Sequence, residues 1–369
     1  KNYFNSMQVK RIWMITDTQL GVRAKSMEWF EICKEYHENV FIPLLKENVK
    51  EGDILVHMGD VFDNRQSVNL KIGSYVISLF EKLGKILPVH VIVGNHDIYM
   101  KKTNDITSID QLKYIPNVNI YKHAEMKKWG GKNCLLMPWR RDKKHEAETL
   151  AEHNNADIVF CHAEIKGLKL NAKVTNLEGS PVSHFKNYTQ VYSGHIHFAQ
   201  KKNNVRMNGT PYQLTRSDIA NPKGIWMLDI KSNEESFFEN NYSPKFLKLN
   251  VAQSLEMTLG QFKDIINNNF VDLYVSSKIA SSYNLSGLIN EVQGLARKIE
   301  PNIYEEENFL DTDFYDMQEI ESLYKEFDIM NLCEKYIDGM GHDTDMKEKL
   351  KKKINNLYTE CAYKYNPEA

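Results

Sequence analysis

The stretch "DILVHMGDVFDN" (53–64) contains the unit from which the fold is read. Its first half is an apolar, β-branched run, and such a run bounded by a turn residue reads as a buried strand. It breaks at Gly59 and turns polar at Asp60. The same order recurs along the chain. "VKRIWMI" (9–15) runs into "TDTQ" (16–19), "LPVHVIV" (87–93) into "GNHD" (94–97), "ADIVFC" (156–161) into "HAE" (162–164), and "QVYS" (190–193) into "GHIH" (194–197), with "GIWMLDI" (224–230) as a further strand. Helix-like segments at 27–49 and 67–83 lie between the first of these runs, so an α/β layered sheet is expected. Open α/β sheets hold ligands in the crevice beyond the carboxyl ends of their strands, which aims five loops at one rim.

Composition bounds what those loops can serve. The chain has 369 residues, 42% hydrophobic and 26% charged, with a formal net charge of −2. That length holds one large core and one or two smaller modules. The near-neutral total means that any site for a polyanion is a local patch. Cys33, Cys134, Cys161, Cys333 and Cys361 form an odd, widely spaced set, which argues against a disulfide scaffold and for a reducing, cytoplasmic setting. No apolar run approaches the ~20 residues of a membrane span, and no secretory signal pattern opens the chain. Lys1 stands first, and Met7 is a candidate natural start.

After about residue 246 the texture changes. "VDLYVSS" (271–277) alternates as a strand, Leu285, Leu288, Ile289, Val292 and Leu295 follow helical spacing, and "KIEPNIYEE" (298–306) completes a small strand, helix and strand module. The acidic "EEENFLDTDFYD" (305–316) reads as a linker. Two amphipathic helices follow, one striped by Ile320, Leu323, Phe327 and Met330, the other by Met346, Leu350, Ile354, Leu357 and Cys361. Such a pair buries little alone, so it docks on its own chain or on a partner.

The five loops supply Asp17, Asp60, Asn95, His96, His162, His195 and His197. Singly, each has an ordinary reading: Asp17 as a helix cap, Asp60 as a turn former, "GNHD" as a loop, the histidines as surface or core residues. Jointly they meet the needs of a two-metal hydrolytic site, which takes hard oxygen ligands, imidazoles and one shared carboxylate. Residues two apart in an extended segment face the same side, so His195 and His197 can reach one point. Gly59 lets the backbone pass close, making Asp60 the natural bridge. Asn95 offers an amide oxygen, and His96 is left to act on the substrate.

The order of motifs resembles the calcineurin-like metallophosphoesterases. "GDVFDNR" (59–65), "VGNHD" (93–97), "FCHAEIKG" (160–167), "YSGHIHF" (192–198) and "RMNGTPYQLTRSDIANPKGIWMLDI" (206–230) are most similar to one branch, the nuclease subunit of SbcCD-type double-strand-break repair complexes and its short version in T-even-like phages. The resemblance implies a layered β-sandwich flanked by helices as the nuclease domain over 1–245. It implies a small α+β capping module that contacts DNA over 246–308, and over 309–369 a linker and helix-loop-helix that binds the coiled coil of an SbcC-like ABC-type ATPase. It assigns one divalent metal to Asp17, the position of Gln19, Asp60 and His197, and the other to Asp60, Asn95, His162 and His195, manganese being expected and magnesium the alternative. It makes His96 the residue that acts on the leaving group, and the reaction a 3′-to-5′ exonuclease action on duplex DNA with an endonuclease component. A homodimer through the early helices is implied too, although the stripe Phe30, Tyr36, Phe41 and Leu44 fits a core equally well.

One position departs from the pattern. The family's first motif ends in histidine, whereas this chain has "DTQ" with Gln19. A neutral amide oxygen holds a hard cation but does not match imidazole toward a transition metal, so the first site is expected to be weaker. The substitution reads as a tolerated ligand, as a weakening that makes activity depend on a partner, or as a deliberate knock-down. Arg65, Lys166, Lys169, Lys173, Lys201 and Lys202 lie next to the ligand loops and are candidate phosphate contacts, or plain solvated surface. Two rivals stand beside the nuclease: a phosphatase or phosphodiesterase on the same scaffold, and a pseudo-nuclease, weakened at Gln19, that bridges DNA and an ATPase.

Overall fold

The computed structural model describes residues 8–64, 66–99, 103–251, 257–282, 284–304, 337 and 346–354. Two compact units divide the chain, Lys1–Ile303 and Tyr304–Ala369. The first is built on two six-stranded sheets. One contains β1 (Arg11–Ile15), β2 (Asp53–His57), β3 (Val89–Ile92), β4 (Val118–Tyr121), β13 (Gly224–Asp229) and β14 (Glu235–Glu239), in the order β14-β13-β1-β2-β3-β4. The other contains β5 (Glu125–Trp129), β6 (Lys132–Met137), β7 (Ile158–His162), β10 (Gln190–Gly194), β11 (Gln200–Lys202) and β12 (Val205–Met207), in the order β11-β12-β10-β7-β6-β5. Two short strands, β8 (Ile165–Lys166) and β9 (Ser180–Pro181), pair beside them.

Strand periodicity explains the layering. Successive side chains alternate between the faces of a strand, and both faces of β1, β2, β7 and β10 are covered. Ile12, Met14, Ile54, Val56, Ile158, Phe160 and Tyr192 fill the space between the sheets. On the outer face of the first sheet, Trp13, Ile15, Leu55, Val89 and Val91 pack against the helices Met27–Tyr36, Ile42–Asn48 and Leu70–Ile86. On the outer face of the second, Val159, Cys161, Val191 and Met207 pack with Leu150 of the helix Lys143–Glu152. Strands buried on both sides read as unbroken apolar runs, which is why these four were legible. The stripe Phe30, Tyr36 and Phe41 lies in the first outer core, each residue at most 2% exposed, with Leu44 against it. That surface is therefore occupied within the chain. Cys33, Cys134 and Cys161 are buried free thiols.

The parallel pairing of β1, β2, β3 and β4, and of β6, β7, β10 and β12, brings the carboxyl ends of β1, β2, β3, β7 and β10 to one edge of the sandwich. The rim thus straddles two sheets. The layered β-sandwich that the resemblance implies is thus present, and the five strand ends are not consecutive in the chain, because β4, β5 and β6 intervene between β3 and β7. A three-stranded sheet follows in the order β15-β16-β17, from Phe246–Asn250, Phe270–Ser276 and Lys298–Tyr304. Its own core is Val251, Phe262, Ile266, Val271, Leu273, Val275 and Val292. Among the described residues of the second unit, 346–354 are helical, with Met346 exposed and Leu350 and Ile354 half-buried. The linker at 305–316 and the stripe Ile320 to Met330, together with Leu357 and Cys361, lie outside the described residues.

Candidate metal centre

The ligand loops are pinned to one another by backbone bonds that prolong the β1–β2 pairing. Asp17 N–H donates to Gly59 O at 3.0 Å, Gln19 N–H to Asp60 O at 3.1 Å and Leu20 N–H to Val61 O at 2.9 Å. The fit is close enough to require glycine. A Cβ on Gly94 would lie 2.2 Å from Asp60 Oδ1, and one on Gly194 2.1 Å from Thr16 Oγ1. The role first given to Gly59, an open approach to metals, is narrower here: its φ of +94° and the Gly94 backbone at 2.7 Å leave no room for a side chain.

Six of the expected residues converge around Asp60, which is 1% exposed. Asp17, Asp60 and His162 place ligand atoms within 4.8 Å of one another. Gln19 Nε2 donates to Asp60 Oδ2 at 3.0 Å, and His162 Nε2 lies 3.4 Å from the same oxygen. Asn95 Oδ1 accepts from His162 Nε2 and His195 Nδ1, both at 2.8 Å. His197 Nε2 is 3.8 Å from Asp17 Oδ1. Asp60 Oδ2 is therefore the atom shared between two clusters, Asp17 with Gln19 and His197, and Asn95 with His162 and His195.

His96 stands beside this set. Its N–H donates to Asp60 Oδ1 at 2.8 Å, and its Nδ1 donates to Asp63 O at 2.6 Å, which fixes the orientation of the ring. The cationic candidates are more scattered. Lys201 pairs with Glu235 at 3.2 Å, and Lys202 donates to Gly167 O at 3.1 Å. Through Val205, Lys202 aligns with Val191, three residues upstream of the Gly194 turn. Lys166 is exposed on β8, and Arg65 lies outside the described residues.

Electrostatics show what the cluster lacks. Burial raises the Asp17 carboxyl above its usual range, His162 and His197 oppose this, and Asp60 adds repulsion. Burial acts on Asp60 in the same direction, but His162 and His96 outweigh it and hold that carboxyl well below the usual range. Burial would lower His162, yet Asp60 dominates and raises it to about 9. Two buried carboxylates thus borrow positive charge from a proton. His162 Nδ1 donates to Met58 O at 2.7 Å, so Nε2 is the nitrogen a cation would take in exchange for that proton. Gln19 Oε1 and His197 Nε2 are buried without a hydrogen-bond partner. Orphaned acceptors beside two carboxylates are the donor set of a cation site, and the residues present fit divalent metal ions.

Sequence reading passed over Asp97. Its carboxylate accepts from the N–H groups of Asp60 at 2.8 Å, Val61 at 3.0 Å and Gly94 at 3.0 Å, tying the second and third ligand loops together. Burial and then Asp60 raise its carboxyl to about 7. The signal was present as the last letter of "GNHD". Lys223, a buried cation whose Nζ donates to His197 O at 2.7 Å, was likewise unread as a site residue.

The comparisons agree with this geometry. Along 364 residues the chain is 26% identical to exonuclease subunit 1 of Enterobacteria phage T4, covering 95% of this chain and 99% of that protein. It is 21% identical to an SbcCD nuclease subunit of Staphylococcus epidermidis over 345 residues, 79% of this chain and 87% of the relative. The family model for calcineurin-like phosphoesterase matches residues 10–212, the span that carries all five ligand loops. With its motifs, its paired sheets and its buried Asp, Asp and His cluster, the chain belongs to the calcineurin-like phosphoesterase family.

Proposed function

We propose that this chain is the nuclease subunit of a DNA recombination and double-strand-break repair complex. It hydrolyses DNA phosphodiester bonds with two divalent cations, manganese or else magnesium, acting 3′ to 5′ on duplex ends with an endonuclease component in a bacterial cytoplasm. Residues 246–308 cap the site against DNA, and 309–369 bind the coiled coil of an ATPase partner. The observation that carries the reading is the buried two-cluster arrangement around Asp60 Oδ2, on a chain similar over nearly its whole length to a phage exonuclease subunit.

Asp17, Gln19, Asp60 and His197 would hold one cation, and Asp60, Asn95, His162 and His195 the other. Bound there, the ions supply charge against the phosphate oxygens and acidify water. The rest belongs to the protein. Thr16 Oγ1 donates to Asp17 Oδ2 at 2.7 Å and orients that ligand. Met58 O fixes the tautomer of His162. His96, its Nδ1 committed to Asp63 O, delivers a proton from Nε2 to the departing oxygen. A homodimer belongs to the same reading, with an interface other than the buried Phe30 to Phe41 stripe.

The second reading is the pseudo-nuclease. One observation favours it: the Gln19 amide donates a hydrogen bond to Asp60 Oδ2, an oxygen of the carboxylate that both ligand sets would use. The deciding assay is manganese-dependent digestion of end-labelled duplex DNA by the chain, by Asp60→Asn and by Gln19→His. Cutting by the unaltered chain and its loss in Asp60→Asn support the nuclease. Turnover of a small chromogenic phosphodiester with DNA left intact moves the reading to a phosphodiesterase, and no turnover of either by the chain or Gln19→His leaves the scaffold.

A further inference from the structure

The two ligand clusters differ in what stands behind them. Asn95 and His162 are held by one another and by Met58 at the end of β2. His197 is held by a separate segment, residues 212–223, which follows the last ligand loop. Lys223, 4% exposed, donates to His197 O at 2.7 Å and pairs with Asp218 Oδ1 at 2.5 Å. Asp218 in turn accepts from Leu214 N–H at 2.9 Å and Thr215 N–H at 3.0 Å. Asn221 brackets Ala199, accepting from its N–H at 2.9 Å and donating to its carbonyl at 3.0 Å. The Tyr212 hydroxyl donates to Thr18 O, between the ligand positions Asp17 and Gln19.

The same segment faces the three-stranded sheet. Arg216 forms a fork onto Asp272 of β16, Nε to Oδ2 at 2.6 Å and Nη2 to Oδ1 at 2.8 Å, and reaches Glu300 of β17 at 2.6 Å. Asp272 is 5% exposed, and the fork is the countercharge it is buried against. Gln213 Oε1 accepts from Phe246 N–H at 2.6 Å at the start of β15. Trp29, in the helix that follows the first ligand loop, stacks on Phe246 and Phe270 at centroid distances of 5.8 and 5.2 Å. The contacts to the small sheet thus fall on the 212–223 segment, which itself bonds Thr18 and His197, and on the helix Met27–Tyr36.

We propose that Arg216, Asp218 and Lys223 are positioning residues of one relay, through which the seating of the small sheet sets the place of His197 and the affinity of the cation position it shares with Asp17 and Gln19. The relay rests on the metal-site assignment above. Its chemistry is that of a buried, charge-paired strut: short bidentate bonds at the Asp272 end, and a lysine at the other end with its ammonium fixed between a carboxylate and the ligand's own carbonyl. Loss of the fork leaves Asp272 without its partner, shifts the 212–223 segment and moves one ligand cluster.

The test is manganese binding to the full chain without DNA, followed by electron paramagnetic resonance of the free ion. The unaltered chain is expected to show two affinity classes, and Gln19→His identifies the first position as the class that it tightens. Arg216→Ala and Asp272→Asn, which cut the fork from opposite sides, should each weaken that class by about 10- to 100-fold, the range for groups that orient ligands, and leave the other class within about twofold. Arg216→Lys keeps the charge without the planar fork and should fall between, which keeps the test decisive if a neutral variant folds poorly. Equal weakening of both classes, or no change in either, overturns the relay while leaving the metal site standing. Absence of any manganese binding by the unaltered chain overturns both.

Discussion

Asp97 is the acceptor around which two ligand loops are built, so its substitution by asparagine is a sharp test of how the site is held. In Asp97→Asn one carboxylate oxygen becomes an NH2 group. With nitrogen at the Oδ2 position, it faces the N–H groups of Asp60 and Gly94, now at 2.8 and 3.0 Å. With nitrogen at Oδ1, it faces those of Val61 at 3.0 Å and, more weakly, Phe62 at 3.4 Å. Either orientation strands two donors among fully buried groups, at about 1–3 kcal/mol for each good bond. The less costly one, which strands Val61 and only weakly Phe62, still removes about 1–3 kcal/mol. At about 2 °C per kcal/mol, the low end of the slope for domains larger than ~150 residues, melting should fall by at least about 2 °C. The assay is thermal unfolding of the metal-free chain at pH 8, above the value of about 7 to which burial and Asp60 raise Asp97, so that the carboxylate is ionised. Manganese affinity measured alongside should drop, because the Asp60 N–H and its ligand oxygen belong to one residue. Melting within about 1 °C of the unaltered chain, with unchanged metal affinity, would refute the claim that this carboxylate organises the loops.

Gly94→Ala places a Cβ 2.2 Å from Asp60 Oδ1 and 2.4 Å from its backbone nitrogen; displacing the shared ligand by about 1 Å should reduce phosphodiester turnover about 100-fold or more, measured at saturating manganese. His162 is raised to about 9 from 6.5, so a cation must displace its proton: apparent manganese affinity should rise about tenfold per pH unit between roughly 7 and 9 and then level off, and a flat profile from titrations across that range would remove His162 from the ligands. In the metal-free chain the sign for stability is the opposite: the His162 contribution is complete below about 6.5 and is lost as pH rises through about 9, which urea unfolding at pH 6 and 9.5 reads directly. Lys202→Ala should lower the slope of log affinity for DNA against log salt by about one, whereas Lys201→Ala, whose ammonium already pairs with Glu235, should change it less; an unaltered slope in the double variant excludes both from phosphate contact.

What could be read from sequence followed burial and local chemistry. The runs around Trp13, Leu55, Val91, Phe160 and Val191 announced themselves because strands covered on both faces are apolar throughout. The β5–β6 hairpin did not: "EMKKW" forms an edge strand in which only Trp129 is buried, and only Gly130 and Gly131 marked the turn. Nor does chain order say which strands pair. β10 lies between β7 and β12, and β13 returns antiparallel to β1 from over 200 residues away, so the assignment of strands to the two sheets belongs to tertiary pairing. Asp272 misled in a different way. Alternation in "VDLYVSS" assigns it to a wet face, yet it is buried, because Arg216 from a distant turn pairs with its charge.

Gln19 is where sequence and structure must be weighed together. Asp17, Gln19, Asp60 and His195 all have positive φ, at 50°, 45°, 56° and 83°. Such conformations cost non-glycine residues about 1–3 kcal/mol and persist only where their surroundings impose them. For Gln19 the surroundings are its N–H bond to Asp60 O and the neighbouring bonds of Asp17 and Leu20, none of which involves its side chain. The backbone at 19 is thus fixed by the β1–β2 continuation, whatever side chain it carries. It follows that Gln19→His changes donor chemistry at a preset position: the amide bond to Asp60 Oδ2 disappears and an imidazole stands in its place. A gain in manganese affinity would then measure the ligand alone, and a loss of fold on that substitution would contradict the backbone argument itself.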